Sequence, residues 1–400
     1  MSYNLRLLAI STVAVLFASC VKSVVDAPIV ATVASNAGDP GGGTTPVTTY
    51  PIQYKSTVYI SQARFGMAAA GAGDKILFAG GVADSFDVNS MISFYYVSTV
   101  DIFNTTTLQR TTAQLSIPRC WPAAVSLGKK IYFAGGFGNG GLSNRVDIYD
   151  VSSNVWTTAS LSAPRAKIVA AAIGHYVVFA GGYDGVSPAP YNYSSPIIDI
   201  YNTLTNTWST GSFVSRKDPA AGAAGSSIAI AGYKADGTTS ARIFNTSTNS
   251  WSTQQLSDHA STSGHAMAVA GAGNKIIFGY GGTNVAPYPV IDILNLTNNS
   301  LSQRRSSKAR TNTANLGLGN YIFIAGGQGP IGGAYDDIEV FNVVNNKWYN
   351  KNLQTGLYYP VGAGAGTTLM FIENDGLNAG TGERPVQVFR VTGEPPGIAP

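Results

Sequence analysis

Histidine, cysteine and charge are what this chain has least of. Three histidines and two cysteines occur in 400 residues, and charged side chains make up 12%, about half the usual share. A metal centre needs imidazoles, thiolates or carboxylates converging at ordered spacing. His175, His259 and His265 are not so arranged, so no metal, no cofactor and no catalytic constellation is expected. Lys and Arg number 25 against 21 Asp and Glu, a net charge of +4 with no basic run. The clustered positive footprint that nucleic acid requires is therefore missing. Beyond the N-terminus no apolar segment is long enough to cross a bilayer as a helix. What is plentiful is glycine, with 46 residues, and hydroxyl and amide side chains, a composition suited to many short strands joined by tight turns.

The first residues read as a targeting segment, not as part of the fold. Arg6 precedes an apolar run from Leu7 to Phe17, and Ala18, Ser19 and Cys20 follow. A short basic start, an apolar run too short for a mature span and a small-residue exit describe a secretory signal. Leu16-Phe17-Ala18-Ser19-Cys20 resembles a bacterial lipobox, in which the cysteine is lipidated, although Phe17 stands where an aliphatic residue is usual. Residues 1–20 are thus a signal peptide with Cys20 as the candidate lipidation site, and an ordinary signal peptide is the alternative. Either way the chain is exported, to the outer membrane or cell surface as a lipoprotein, otherwise to the periplasm or medium. With Cys20 acylated, Cys120 would be the sole thiol and no intrachain disulfide could form. Residues 21–49, rich in Gly, Pro and Thr, read as a flexible tether. Residues 393–400 are a Pro-rich tail.

Between them one pattern is written seven times. Turn glycines Gly73, Gly128, Gly174, Gly225, Gly273, Gly319 and Gly366 lie 46 to 55 residues apart, each followed by an apolar strand. In the third copy the strands read AKIVAAAI after Arg165, YVVFAGG (176–182), IIDIY (197–201), and a fourth opened by Trp208. Third strands end in Phe103, Tyr149, Tyr201, Phe244, Leu294 and Phe341; seven residues on stand Arg110, Trp156, Trp208, Trp251, Leu301 and Trp348. Four tryptophans in one register imply a packing slot between neighbouring units, not a ligand platform. Repeats of this length built from strand, turn and strand indicate a radial array of β-sheets. The seventh copy lacks its fourth strand. Tyr50–Ile60 precedes the first copy as an orphan β-like segment, and counting back from Arg64 puts the slot at Lys55 and the following apolar residue at Ile60. The N-terminal strand is therefore expected to complete the last unit, which removes an exposed edge.

The FAGG stretches at 78–81, 133–136 and 179–182, IAGG at 324–327, the VDIY-like third strands and the spaced tryptophans make the chain similar to the kelch family over about 340 residues. The copies IAGY (230–233), GYGG (279–282) and Ile372-Glu373-Asn374 depart from the pattern. The resemblance implies an all-β, seven-bladed kelch-type β-propeller over residues 50–392. Each blade would have four antiparallel strands, with the last blade closed by the N-terminal strand.

Candidate binding residues follow from the same register. Arg64, Arg119, Arg165, Arg216 and Arg310 each lie nine residues before a turn glycine and should emerge on one face; the fifth copy has Gly264 beside His265 there, and the seventh Leu357. Kelch arginines at this position can line a ligand-binding face; the competing reading is a structural bond to a neighbouring blade. As ligand contacts they would give the mouth a positive field suited to carboxylate, phosphate or sulfate groups. The same face should carry the loops after the second strands, rich in aromatics: Phe86, Phe94, Tyr95 and Tyr96 in the first, Tyr183, Tyr191 and Tyr193 in the third, Tyr288 and Tyr335 further on. Tyrosines beside a polar mouth suit sugars or extended peptides. The expectation is a monomeric, non-catalytic binding or protein-interaction module for a glycan or acidic peptide. It would touch membranes only through a lipid anchor. The alternative is a carbohydrate-active enzyme, since kelch propellers include galactose-oxidase-like copper enzymes and sialic-acid mutarotases.

Overall fold

A computed structural model describes residues 51–86, 92–185, 195–213, 217–234, 238–257, 267–281, 288–306, 308–330, 332–375 and 384–392. Cys20, the tether, the tail, Arg216, His259, His265, Tyr191 and Tyr193 lie outside the described residues.

The repeat becomes seven four-stranded antiparallel sheets, each a blade. In blade 1 the strands run Ala68–Ala72, Lys75–Ala79, Thr99–Asn104 and Arg110–Gln114 from the centre outwards. The innermost strands follow one another around a centre, and that of blade 7, Val361–Ala365, returns to touch that of blade 1. The ring is thereby closed: the chain is a seven-bladed β-propeller. Seven hydrophobic clusters lie between successive blades, each assembled from the facing sheets of two neighbours.

Crowding at the centre explains the small residues of the innermost strands. A Cβ on Gly71 would sit 2.5 Å from the Gly364 carbonyl oxygen, and one on Gly271 would sit 2.3 Å from that of Ala223. Real Cβ atoms do not approach main-chain oxygens so closely, so neighbouring blades meet backbone to backbone. Further out there is room for large side chains. The Trp156, Trp208, Trp251 and Trp348 rings lie 4.8, 4.9, 4.9 and 4.6 Å from the aromatic residue that ends the third strand of the same blade. All four tryptophans pack against inter-blade clusters, as their common register required.

The N-terminal strand Ile52–Tyr59 pairs with Pro385–Val391 as the outermost strand of blade 7. One detail of the expected register changes. The ladder slips between Tyr54 and Ser56, so Lys55 is the extra residue of a bulge and Tyr54 occupies the slot against Phe389, ring centroids 5.7 Å apart. Ile60 is fully buried, as expected. On the turn-glycine side, Thr368 Oγ1 and Arg390 Nη2 of blade 7 donate to the Thr105 carbonyl of blade 1, at 3.0 and 3.1 Å. The clasp thus ties both ends of the ring.

Two insertions differ from plain loops. The residues after the second strand of blade 1 form a hairpin, Val82–Phe86 with Ile92–Tyr96, because the aromatic run ISFYY supplies a strand. Blade 2 adds a smaller one, Phe137–Gly138 with Gly141–Leu142, and Tyr96 packs edge-on to Phe137 at 5.8 Å.

A chain beginning at Gln62 lacks the clasp. It is expected to lose its single cooperative unfolding transition in calorimetry, whereas removing residues 1–49 should leave the transition unchanged.

Candidate functional site

On the face opposite the turn glycines, the ladder between first and second strands is interrupted in blades 1, 2, 3 and 6. In blade 1 the pairing stops at Ala68 and Ala79 and resumes as a single bridge between Phe65 and Val82. Gly80 and Gly81, at φ 67° and 118°, turn their peptide groups out of the ladder. Those groups need partners once buried. Arg64 Nε donates to the Gly80 carbonyl at 2.8 Å, and the Gly81 N–H donates 2.9 Å to the Arg119 carbonyl of blade 2. Blade 2 repeats this: Arg119 Nε reaches the Gly135 carbonyl at 2.8 Å, and the Gly136 N–H reaches the Arg165 carbonyl at 2.8 Å. The Gly-Gly pair and the arginine are therefore one device. A Cβ on Gly80 or Gly135 would lie 2.5 Å from the next blade's arginine carbonyl, which leaves glycine as the residue that fits.

The four described arginine side chains do not line a mouth. Arg64, Arg119, Arg165 and Arg310 are all 0% exposed. Arg64 pairs with Asp101 at 2.7 Å, Arg119 with Asp147 at 2.6 Å, Arg165 with Asp199, and Arg310 with Asp337 at 3.0 Å and Glu339 at 3.5 Å. Burial pulls the guanidinium pKa of Arg64, Arg119 and Arg165 below the usual value against the pull of each aspartate. At Arg310 burial acts the same way, but Tyr280, Asp337 and Glu339 together outweigh it and raise the pKa. These four side chains are structural, but their bonds go to carbonyls and carboxylates of their own blade, not to the neighbouring blade that the structural reading expected. Their charges are neutralised inside the blades, so these four do not supply the positive field expected of them.

The carboxylates also join blades. Asp101, Asp147 and Asp199 accept main-chain N–H bonds from Ser61, Ser116 and Ser162, the residues that follow the outer strand of the preceding blade, at 2.8, 3.0 and 2.9 Å. Sequence reasoning missed these aspartates although VDIY was part of the recognised motif. An acid two residues before the aromatic that closes the third strand, in a chain with few acids, was the available signal.

The tyrosine candidates are distributed unevenly. Tyr335 is half-buried and covers Arg310, its ring centroid 4.7 Å from the guanidinium carbon, with its hydroxyl donating to the Ala309 carbonyl at 3.3 Å. Tyr183 and Tyr288 are half-buried, with backbone N–H groups bonded to the Ala166 and Gly281 carbonyls. Phe94 and Tyr95 on the blade 1 hairpin are 44% and 41% exposed. Phe94 packs edge-on to Phe65, and the Tyr95 hydroxyl accepts from Gln62 Nε2 at 2.6 Å, so both rings are held. Cys120 is fully buried and burial pushes its thiol up to about 12, which keeps it protonated at neutral pH. Among the described residues no group of three or more His, Cys, Asp or Glu is placed to hold a metal ion.

A closed ring of four-stranded blades, stitched by arginine to glycine pairs, defines a repeat propeller. The kelch motif matches residues 118–160 and 309–351. These fall in blades 2 and 6, so two kelch repeats lie within a seven-bladed β-propeller, the architecture of the kelch-repeat family. Its fold is similar to a solved structure titled "Structure of YjhT", at a TM-score of 0.52 and 15% identity, over 74% of this chain and 99% of that one. None of the curated proteins matches the chain in sequence.

Removing one partner of a fully buried ion pair costs about 3–5 kcal/mol. Asp199→Ala should therefore lower the unfolding free energy by about that much in denaturant titration, and the triple variant Arg64→Ala, Arg165→Ala, Arg310→Ala should fail to fold. The pH dependence follows from Asp337. Burial would raise its pKa, but Arg310 and Lys308 overcome this and hold it below the usual value. A depressed folded pKa contributes stability above the unfolded value, about 3.9, and that contribution is lost as pH falls through the folded value. Arg310→Met with Asp337→Asn should make the acid limb of the stability curve shallower.

Proposed function

We propose that this kelch propeller is a non-catalytic binding module, exported and anchored through Cys20, that takes a glycan or acidic peptide on its loop face. Kelch propellers serve as binding modules and as enzyme scaffolds, so fold alone does not choose between them. The observation that carries the binding reading is a division of labour on one face. The charged residues that repeat are consumed within the blades, while the parts that do not repeat carry exposed, pre-positioned aromatics, Phe94 and Tyr95 foremost. Rings fixed before binding lose little entropy on contact and offer both apolar faces and a hydroxyl. A catalytic reading would instead need converging acid, base or nucleophilic groups, and Cys120 is held as an inert thiol.

Arrays of oligosaccharides and acidic peptides probed with the mature protein test this reading. Phe94→Ala and Tyr95→Ala should each weaken capture by about 1 kcal/mol, roughly fivefold, with an unchanged melting temperature; capture of nothing on either array defeats it. Anchoring is tested separately: Cys20→Ala should abolish incorporation of labelled palmitate and release the protein from the membrane fraction.

A further inference from the structure

The residue two positions after the arginine adopts the left-handed backbone conformation in six blades. These residues are Gly66, Trp121, Lys167, Asp218, Asn312 and Tyr359, the last following Leu357 in blade 7, with φ between 43° and 68°. Each stands just before an innermost strand or at its first turn into the ladder, so together they form a collar around the mouth of the ring. The conformation has a structural use. The Trp121 N–H donates 2.7 Å to the Gly66 carbonyl, and the Lys167 N–H donates 3.2 Å to the Trp121 carbonyl, linking three blades at the rim.

That use calls for the backbone alone, and glycine meets it without strain, as blade 1 shows. Asn and Asp tolerate the left-handed region through their short polar side chains, whereas Trp, Lys and Tyr adopt it only at a steric cost. Backbone strain held by non-glycine residues concentrates where side chains recognise something. The side chains present are diverse and interlocked. Lys167 Nζ lies 4.8 Å from the Trp121 ring centroid, and a Cβ on residue 66 would meet Trp121 Nε1 at 3.0 Å, so Gly66 makes room for the indole. Trp121 and Tyr359 are half-buried and Lys167 is exposed.

We infer that this collar is the specificity-determining part of the binding face and that its ligand is an oligosaccharide. The inference rests on the binding-module reading above and narrows it. The chemistry favours a saccharide over an acidic peptide. Lys167 and Asp218 are opposite charges, the four described blade arginines are paired inside their blades, and the other side chains are two aromatics and an amide. Aromatic faces stack on sugar rings while an amide, an ammonium and a carboxylate exchange hydrogen bonds with hydroxyls.

The test uses the full-length protein with Lys167→Gly, Tyr359→Gly and Trp121→Gly, probed against soluble cello-, manno- and chito-oligosaccharides and a glutamate-rich peptide. Relief of strain predicts that Lys167→Gly and Tyr359→Gly keep or raise the melting temperature while affinity for the captured oligosaccharide falls at least tenfold. Trp121→Gly, which also loses packing, should lose binding most, and Trp121→Phe should recover part of it. Retained affinity in the glycine variants overturns the collar while leaving the binding module standing. A lowered melting temperature in both Lys167→Gly and Tyr359→Gly overturns it too, by assigning these residues to structure. Capture of the peptide but no oligosaccharide overturns the ligand class, and capture of nothing by the unaltered protein overturns the binding reading itself.

Discussion

The structure depends on how a blade satisfies its main chain where the ladder between first and second strands opens. Two peptide groups leave the ladder there and must be paired in a place that water does not reach. The arginine of the same blade takes the carbonyl of the first glycine, and the main chain of the next blade takes the N–H of the second. One short motif therefore both finishes its own sheet and begins the contact with its neighbour. Complete in blades 1, 2 and 6, it makes each of those blades a condition for the next.

The exceptions follow the same logic. In blade 7 Leu357 replaces the arginine and Gln387 the aspartate, so neither charge is buried alone. Gln387 accepts from the Gln354 N–H at 2.6 Å and donates to Thr355 at 3.1 Å instead. In blade 5 Gly264 stands at the arginine position, and Asp292 accepts from both the N–H and the hydroxyl of Ser257, at 2.8 and 2.5 Å. Also in blade 5, Tyr280 takes the place of the first glycine at φ 56°, fully buried beside Arg310. In blade 7 both charges are absent together, as the cost of burying an isolated ion requires.

The division between what repeats and what does not also underlies the proposed function. A side chain present at one register position in several blades has to suit every blade, which favours scaffold roles such as the tryptophan slot and the arginine pairs. The collar and the insertion hairpins are free of that constraint. They occupy equivalent places but carry different chemistry, which is the form a recognition surface takes when it is built on a repeat.

The repeat period, the four strands of each blade, the closing role of residues 50–60 and the slot of the tryptophans could all be read from spacing, because strand alternation and turn glycines are local properties that recur. The bulge at Lys55 could not, since one extra residue in a strand leaves no mark on composition. The arginines were found at the right places and given two competing roles. Only the folded ring showed Asp101, Asp147, Asp199 and Asp337 closing over them, for these partners lie 27 to 37 residues away and burial arises from neighbouring blades. The collar was invisible for the opposite reason: its residues share a backbone conformation, not an identity. Sequence by itself determined the architecture, because periodic hydrophobicity and turn chemistry act locally. Tertiary structure alone decided which polar groups were paired inside and which stayed exposed, because that depends on what the closed ring buries.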